Sequence, residues 1–220
     1  MKVIAFNGSP RKTWNTATLL IKALEGAASQ GAETELIHLY DLNYKGCISC
    51  FACKNKSNKS YGKCAINDEL TPILAKVEDA DAIILGSPNY MGSPTCMMKA
   101  FLERLIYPYV VYTLNISSLF KKKIPAGFIY TMSSNEAWMK EMRYDIASQF
   151  IEGLMKMIFG SAESLVVNNT YQFEDYSKIA GTRFDPVEKA RIREEQFPKD
   201  CEKAFEMGVR FSQQVIEDNR

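Results

Sequence analysis

Residues 2–20 read KVIAFNGSPRKTWNTATLL. An apolar run rich in β-branched residues gives way to a turn of small and hydroxyl residues, then to the first apolar positions of a helix. Gly8, Ser9, Thr13, Thr16 and Thr18 fall between strand and helix. Unpaired backbone N–H groups and the positive end of the helix dipole favour a phosphate there. Arg11 adds a forked donor suited to a phosphate dianion. Neither the GxGxxG of a pyrophosphate turn nor the GxxxxGK[ST] of a nucleoside triphosphatase is present, so the loop suits a single terminal phosphate. A hydroxyl-rich helix cap is the plainer alternative for any one of these side chains.

The same strand–turn–helix unit recurs along the chain. Strands are expected at 2–6, 33–39, 81–87, 124–131 and 163–167, and helices at 16–30, 68–78 (opened by Asp68), 94–107, 137–159 and 186–217. The nearly unbroken apolar character of the first, third and fourth strands predicts cover on both faces, the mark of a parallel sheet. An α/β, doubly wound architecture follows, with ligands bound in the loops beyond the carboxyl ends of strands one, three and four. The 220 residues are expected to form one domain over 1–220, with KNKSNKS (54–60) as a polar loop and 167–185 as an irregular connection.

Charge excludes some partners. With 27 Lys and Arg against 26 Asp and Glu the net charge is +1 and no basic stripe is visible, so neither nucleic acid nor an acidic membrane surface is expected. The opening residues lack the long apolar stretch of a signal peptide, and no run reaches the roughly 18 apolar residues of a spanning helix. A cytoplasmic location is expected, where thiols stay reduced and structural disulfides are rare.

GSPRKTWNTATLL after strand one and GSPNYMGSPTCMMKAFLER after strand three resemble the two fingerprints of the flavodoxin-like, NAD(P)H-dependent FMN reductases and of their relatives, the iron–sulfur flavoproteins. The resemblance implies a five-stranded parallel sheet of order 2-1-3-4-5 with helices on both faces, and FMN as cofactor. It implies that Ser9, Arg11, Asn15, Thr16 and Ala17 surround the FMN phosphate, and that Pro88, Asn89, Tyr90, Met91 and Gly92 wrap the isoalloxazine edge. The chemistry agrees: a flavin needs a flat, largely apolar slot, Pro88 fixes the entry to the loop, and Gly92 lets the backbone come close. Plain core packing is the alternative for Tyr90 and Met91.

The loop after strand four, TMSSNEAWM (131–139), puts Thr131, Met132, Ser133 and Ser134 in position for the pyrimidine side of the ring. Ser134 or Asn135 serves equally well as the cap of the next helix. The resemblance also implies a homodimer or homotetramer in which a second chain completes the flavin pocket. The aromatic run LIYPYVVYTL (105–114) is a candidate contact surface for it, or else an internal helix end and loop.

KGCISCFACKNKSNKSYGKC (45–64) holds four of the six cysteines, Cys47, Cys50, Cys53 and Cys64. The C-x₂-C-x₂-C spacing lets thiolates converge on one iron–sulfur cubane, with a fourth ligand from further along. In the iron–sulfur flavoproteins the last gap is short, whereas here ten residues separate Cys53 from Cys64. Structural zinc asks for paired C-x₂-C knuckles, and only one side has them. Free, partly buried thiols remain the third reading. Cys96 and Cys201 are expected in the core, and His38, inside a strand, as a structural residue.

No Ser-His-Asp set, G-x-S-x-G elbow or Cys-x₅-Arg loop after strand one can be assembled, so hydrolase chemistry is not expected. The expected activity is an FMN-dependent oxidoreductase passing hydride and electrons from NAD(P)H to a quinone, flavin or other small acceptor, with no catalytic side chain beyond the flavin. The alternative is an iron–sulfur flavoprotein that carries electrons through a [4Fe–4S] cluster at Cys47, Cys50, Cys53 and Cys64.

Overall fold

Residues 1–114, 117–181 and 184–219 are described by a computed structural model. Its strands are β1 (Lys2–Asn7), β2 (Glu33–His38), β3 (Ala82–Pro88), β4 (Ile124–Thr131) and β5 (Gly160–Val167). They pair in parallel throughout, in the order β2-β1-β3-β4-β5. Among the described residues seven α-helices accompany them: α1 (Asn15–Ser29), α2 (Thr71–Asp79), α3 (Cys96–Ile106), α4 (Glu136–Glu141), α5 (Asp145–Phe159), α6 (Pro186–Glu195) and α7 (Phe197–Asp218). The expected doubly wound sheet and its strand order are therefore present.

Strand periodicity divides the core into two. Ile4, Phe6, Ile83, Leu85, Phe128 and Tyr130 point to one face, where they pack with Phe101 and Leu105 of α3 and Ile151 and Met155 of α5. Val3, Ala5, Ala82, Ile84 and Ile129 point to the other, against Leu20 and Ala23 of α1 and Met207 and Phe211 of α7. Successive side chains of a strand alternate faces, so an unbroken apolar strand is what a sheet covered on both sides requires. Each such Ile, Leu or Phe contributes about 1.5–3 kcal/mol by leaving water. α1 and α7 cross closely: a Cβ built on Gly26 would lie 1.9 Å from the Phe205 carbonyl oxygen, and one on Gly208 1.8 Å from that of Ala23.

Some elements depart from the sequence reading. The helix expected over 186–217 breaks at Gln196, because Pro198 has no N–H to offer the Glu194 carbonyl and its ring crowds that turn. The helix expected over 137–159 is interrupted around Arg143, whose φ is +57°. The break places the Tyr144 ring 3.1 Å from where a Cβ on Gly92 would stand. α2 begins at Thr71, and Asp68 forms the turn that leads into it, its carboxylate accepting the Leu70 N–H at 3.1 Å as well as the Arg104 guanidinium. β5 begins three residues early, at Gly160, whose φ of +98° turns the chain directly out of α5. Cys96, expected in the core, is exposed as the first residue of α3, and Cys201 is half-buried. The 167–185 connection is irregular apart from a short turn at Tyr176–Lys178, and its residues 182 and 183 lie outside the described residues. Among the described residues no helix is long and apolar enough to cross a membrane.

Candidate functional site

The sheet register sets the site. Asn7 pairs with Gly86 and Pro88 with Thr131, so the loops after β1, β3 and β4 leave one edge side by side. Thr95 joins two of them: its hydroxyl donates to the Gly8 carbonyl at 2.6 Å and its N–H to Ser87 Oγ at 3.0 Å.

In the first loop, Asn7 Oδ1 accepts the Ser9 N–H at 2.9 Å and Ser9 Oγ the Arg11 N–H at 3.1 Å. Trp14 precedes α1 without a side-chain cap, and no acidic residue occupies the first turn. The helix therefore presents its first N–H groups and its positive end unopposed, which fits an anion. The side-chain donors turn to one place: Arg11 Nη1 to the Gln172 carbonyl at 2.7 Å, with Asn15 Nδ2 at 2.6 Å and Trp14 Nε1 at 3.1 Å both on that of Tyr171. A phosphate would meet the same donors. Thr16 is different, since its hydroxyl is buried against that of Thr131 at 2.8 Å, and the Ala17 methyl lies in the core. Only the backbone N–H groups of these two remain for a ligand.

The second loop is a tight turn. The Asn89 N–H donates to the Thr131 carbonyl, Asn89 Oδ1 accepts the Gly92 N–H at 2.7 Å, and Tyr90 bridges to Ser93. Met91 and Gly92 both have positive φ, at +56° and +83°. The turn thrusts Met91 into solvent, 99% exposed, with Tyr90 beside it at 49%. The loop after β4 carries Met132, buried, and Ser133. Asn135, not Ser134, caps α4, accepting the Trp138 N–H at 2.9 Å.

Two joined cavities lie between these loops. The narrower, about 90 Å³, is walled by Ser9, Arg11, Asn15, Thr16, Tyr90 and Thr131. The wider, about 370 Å³, is walled by Met91, Trp138, Tyr144, Phe184 and Lys189. Asn89, Met132 and Ser133 border both. The trough thus runs from a donor-rich end to a broader one with aromatic walls. It gathers Ser9, Arg11, Asn15, Thr16, Pro88, Asn89, Tyr90, Met91, Thr131 and Ser133 at one place, while Gly92 shapes the turn from behind.

Sequence reasoning missed Lys189 and the carbonyls of Tyr171 and Gln172. The Lys189 ammonium, on a residue only 3% exposed, donates to the Ser133 carbonyl at 2.5 Å and the Thr170 carbonyl at 3.4 Å, over the Phe184 ring. Burial pulls its pKa down to about 8, with Glu188 opposing. His38 Nδ1 lies 2.9 Å from Asn7 Nδ2, and burial lowers its pKa.

The cysteine segment packs beside α3. Cys47, Cys50, Cys53 and Cys64 all line one small, mostly apolar cavity of about 20 Å³, with Ile48, Phe51, Ala65 and Pro108. Cys47 and Cys50 are exposed, Cys53 is buried and Cys64 half-buried; none is in a disulfide. Ser49 and Phe51 have φ of +54° and +55°, a backbone cost of about 1–2 kcal/mol each that persists mostly at ligand clamps. Among the described residues no three His, Cys, Asp or Glu side chains converge on a point for one metal ion. Thiols set around a shared space suit a polynuclear cluster better than the single point a tetrahedral zinc requires. The space is no larger than about one water needs, so loading would spread the exposed Cys47–Cys50 turn.

A sequence profile described as NADPH-dependent FMN reductase matches residues 1–170. An iron-sulfur flavoprotein of Methanocaldococcus jannaschii is 44% identical over 104 residues, 47% of this chain and 51% of that protein. One of Methanosarcina thermophila is 33% identical over 106 residues, 48% and 53% of the two chains. The chain spans about half the length of the curated relatives it matches. In fold it is similar to an NAD(P)H:quinone oxidoreductase from Methanothermobacter marburgensis, with TM-score 0.68, 14% identity and coverage of 95% of this chain and 98% of that one. It is likewise similar to an FMN-dependent NADH-azoreductase from Bacillus anthracis, with TM-score 0.64, 13% identity and coverage of 96% and 100%. With the profile match extending over most of its length, this chain belongs to the NADPH-dependent FMN reductase family.

Proposed function

We propose that the protein is an FMN-dependent oxidoreductase that takes hydride from NAD(P)H and passes electrons to a quinone, flavin or other small acceptor. The observation that carries this reading is the trough after β1, β3 and β4, donor-rich at one end and wide with aromatic walls at the other. FMN, when bound, supplies the hydride and electron chemistry. Ser9, Arg11, Asn15 and the backbone N–H groups of Thr16 and Ala17 hold its phosphate. Pro88, Asn89, Tyr90, Met91 and Gly92 on one side, and Thr131 and Ser133 on the other, flank its ring. Met132, Trp138 and Tyr144 keep water from that end.

A reducing cytoplasm suits the six free thiols. A homodimer or homotetramer suits the exposed Met91, Phe150, Tyr112 and Leu114. Anaerobic addition of NADH or NADPH to FMN-loaded protein tests the reading. Rapid bleaching of the flavin band is expected, and no bleaching by either nucleotide would overturn it.

A second reading, an electron carrier with a [4Fe–4S] cluster on Cys47, Cys50, Cys53 and Cys64, is favoured by the grouping of these thiols around one apolar cavity. The cluster would supply one-electron transfer. Anaerobic preparation should give about four iron and four sulfide per chain, lost in Cys50→Ala. A flavin-only protein that resists reconstitution would leave the cysteines as loop thiols.

A further inference from the structure

Arg104 is a charged residue in the last turn of α3, and its side chain is fully buried against the cysteine segment. Every donor of its guanidinium is used. Nε donates to Cys64 Sγ at 3.2 Å; Nη1 to the Lys45 carbonyl at 3.1 Å and Asp68 Oδ2 at 2.5 Å; Nη2 to the Ile66 carbonyl at 3.2 Å and Asp68 Oδ1 at 2.9 Å. Lys45 opens the cysteine segment and Ile66 lies two residues beyond its last cysteine, so one rigid fork closes the loop at its base. The long insertion between Cys53 and Cys64 folds back through the Gly62 N–H, which donates to the Cys53 carbonyl at 3.0 Å, and the Cys64 sulfur is held from α3.

We propose that Arg104 is the positioning residue of the cysteine site: it presents Cys64 as the fourth ligand and sets the site's reduction potential through the Nε–H···Sγ contact. This inference rests on the second reading above. Hydrogen bonds and positive charge at a ligand sulfur favour the more negative, reduced state of a cluster and so raise its potential. The half-buried Asp68 carboxylate balances the guanidinium charge and holds the fork with two charge-assisted hydrogen bonds. Lysine, a point charge on a flexible stem, cannot reach the same five acceptors.

The test compares wild type, Arg104→Met, Arg104→Lys and Arg104→Gln after anaerobic reconstitution with iron and sulfide. Iron and sulfide per chain, the one-electron midpoint potential and the FMN content are read for each. Arg104→Met should lose at least half of its iron on gel filtration. The cluster it keeps should titrate lower by about tenfold in the reduction equilibrium, or about 59 mV for one electron. Arg104→Lys should recover part of the potential but not the retention. Unchanged FMN content shows that the fold holds. Should Arg104→Met lose FMN, Arg104→Gln, a smaller residue with a neutral donor, carries the comparison and should show the same downward shift. A wild type with a cluster and variants matching it in iron and potential would overturn the role of Arg104 alone. A wild type that takes up no iron would overturn the cluster reading and this inference with it.

Discussion

Thr16 Oγ1 and Thr131 Oγ1 meet at 2.8 Å in the buried interior, joining the first turn of α1 to the last residue of β4. The contact ties the phosphate-side loop to the loop proposed for the ring. Replacing one threonine with valine leaves the other hydroxyl buried without that partner, at a cost of about 1–3 kcal/mol. Replacing both removes the polar pair together, so Thr16→Val with Thr131→Val should cost less than the sum of the singles. Urea unfolding of the four proteins measures this, and strictly additive losses would show that the two hydroxyls do not interact.

Arg11 is an exposed cation of the first loop, its guanidinium donating to the Gln172 carbonyl and lying over the Trp14 ring. Arg11→Ala removes a charge-assisted donor, and FMN affinity should fall by about 1.5–3 kcal/mol with little change in the unfolding midpoint. Titration of the apoprotein followed by flavin fluorescence reads the affinity directly. An unchanged dissociation constant would remove Arg11 from the phosphate site.

The parallel sheet was legible because its signal is local: KVIAF and DAIILGS show apolar character on both strand faces, and turn residues follow. The loops that build the trough were legible for the same reason, since they must follow the strands. Arg104 was not read, although its place three residues after Phe101 on the apolar face of α3 offered a signal. A charge on a buried face needs partners, and these came from Lys45, Ile66 and Asp68, far away in sequence.

Lys189 offered no signal at all. It sits in a helix rich in charged residues, and only the tertiary fold brings it over Ser133 and Thr170. The break at Pro198 was readable and passed over, because the helical pattern resumes after it in the long amphipathic run to Asp218. The interruption at Arg143 had no such mark: its φ is +57° at a residue with no turn signal of its own, and the break seats Tyr144 over Gly92.

Gly208→Ala sets two effects against each other. Alanine gains about 1 kcal/mol in helix propensity within α7. Its methyl would stand 1.8 Å from the Ala23 carbonyl oxygen and 2.8 Å from the Ala27 nitrogen, both backbone atoms of α1. Neither can swing aside as a side chain could, and overpacking costs of about 1–3 kcal/mol are expected even in milder cases. Net destabilisation should appear as a lower Tm in a thermal scan. A Tm equal to or above that of the wild type would mean that α1 and α7 separate more easily than their contact suggests.

Lys189 should leave a signature in the pH dependence of stability. Burial lowers its pKa from 10.5 to about 8, so between those values the unfolded chain holds a proton that the folded one has released. Stability linked to this group therefore rises with pH across that window. The contribution is fully present above the unfolded value and is lost as pH falls through about 8. Over the whole window it amounts to about 3 kcal/mol at most. Lys189→Met cannot titrate, and it should flatten the rise. Taking the difference between wild type and variant in denaturant titrations from pH 7 to 10.5 cancels the tyrosines and other lysines that ionise in the same range. The difference should change steadily in favour of the wild type as pH increases. A constant difference would place the ammonium in contact with water rather than sealed against the Ser133 and Thr170 carbonyls.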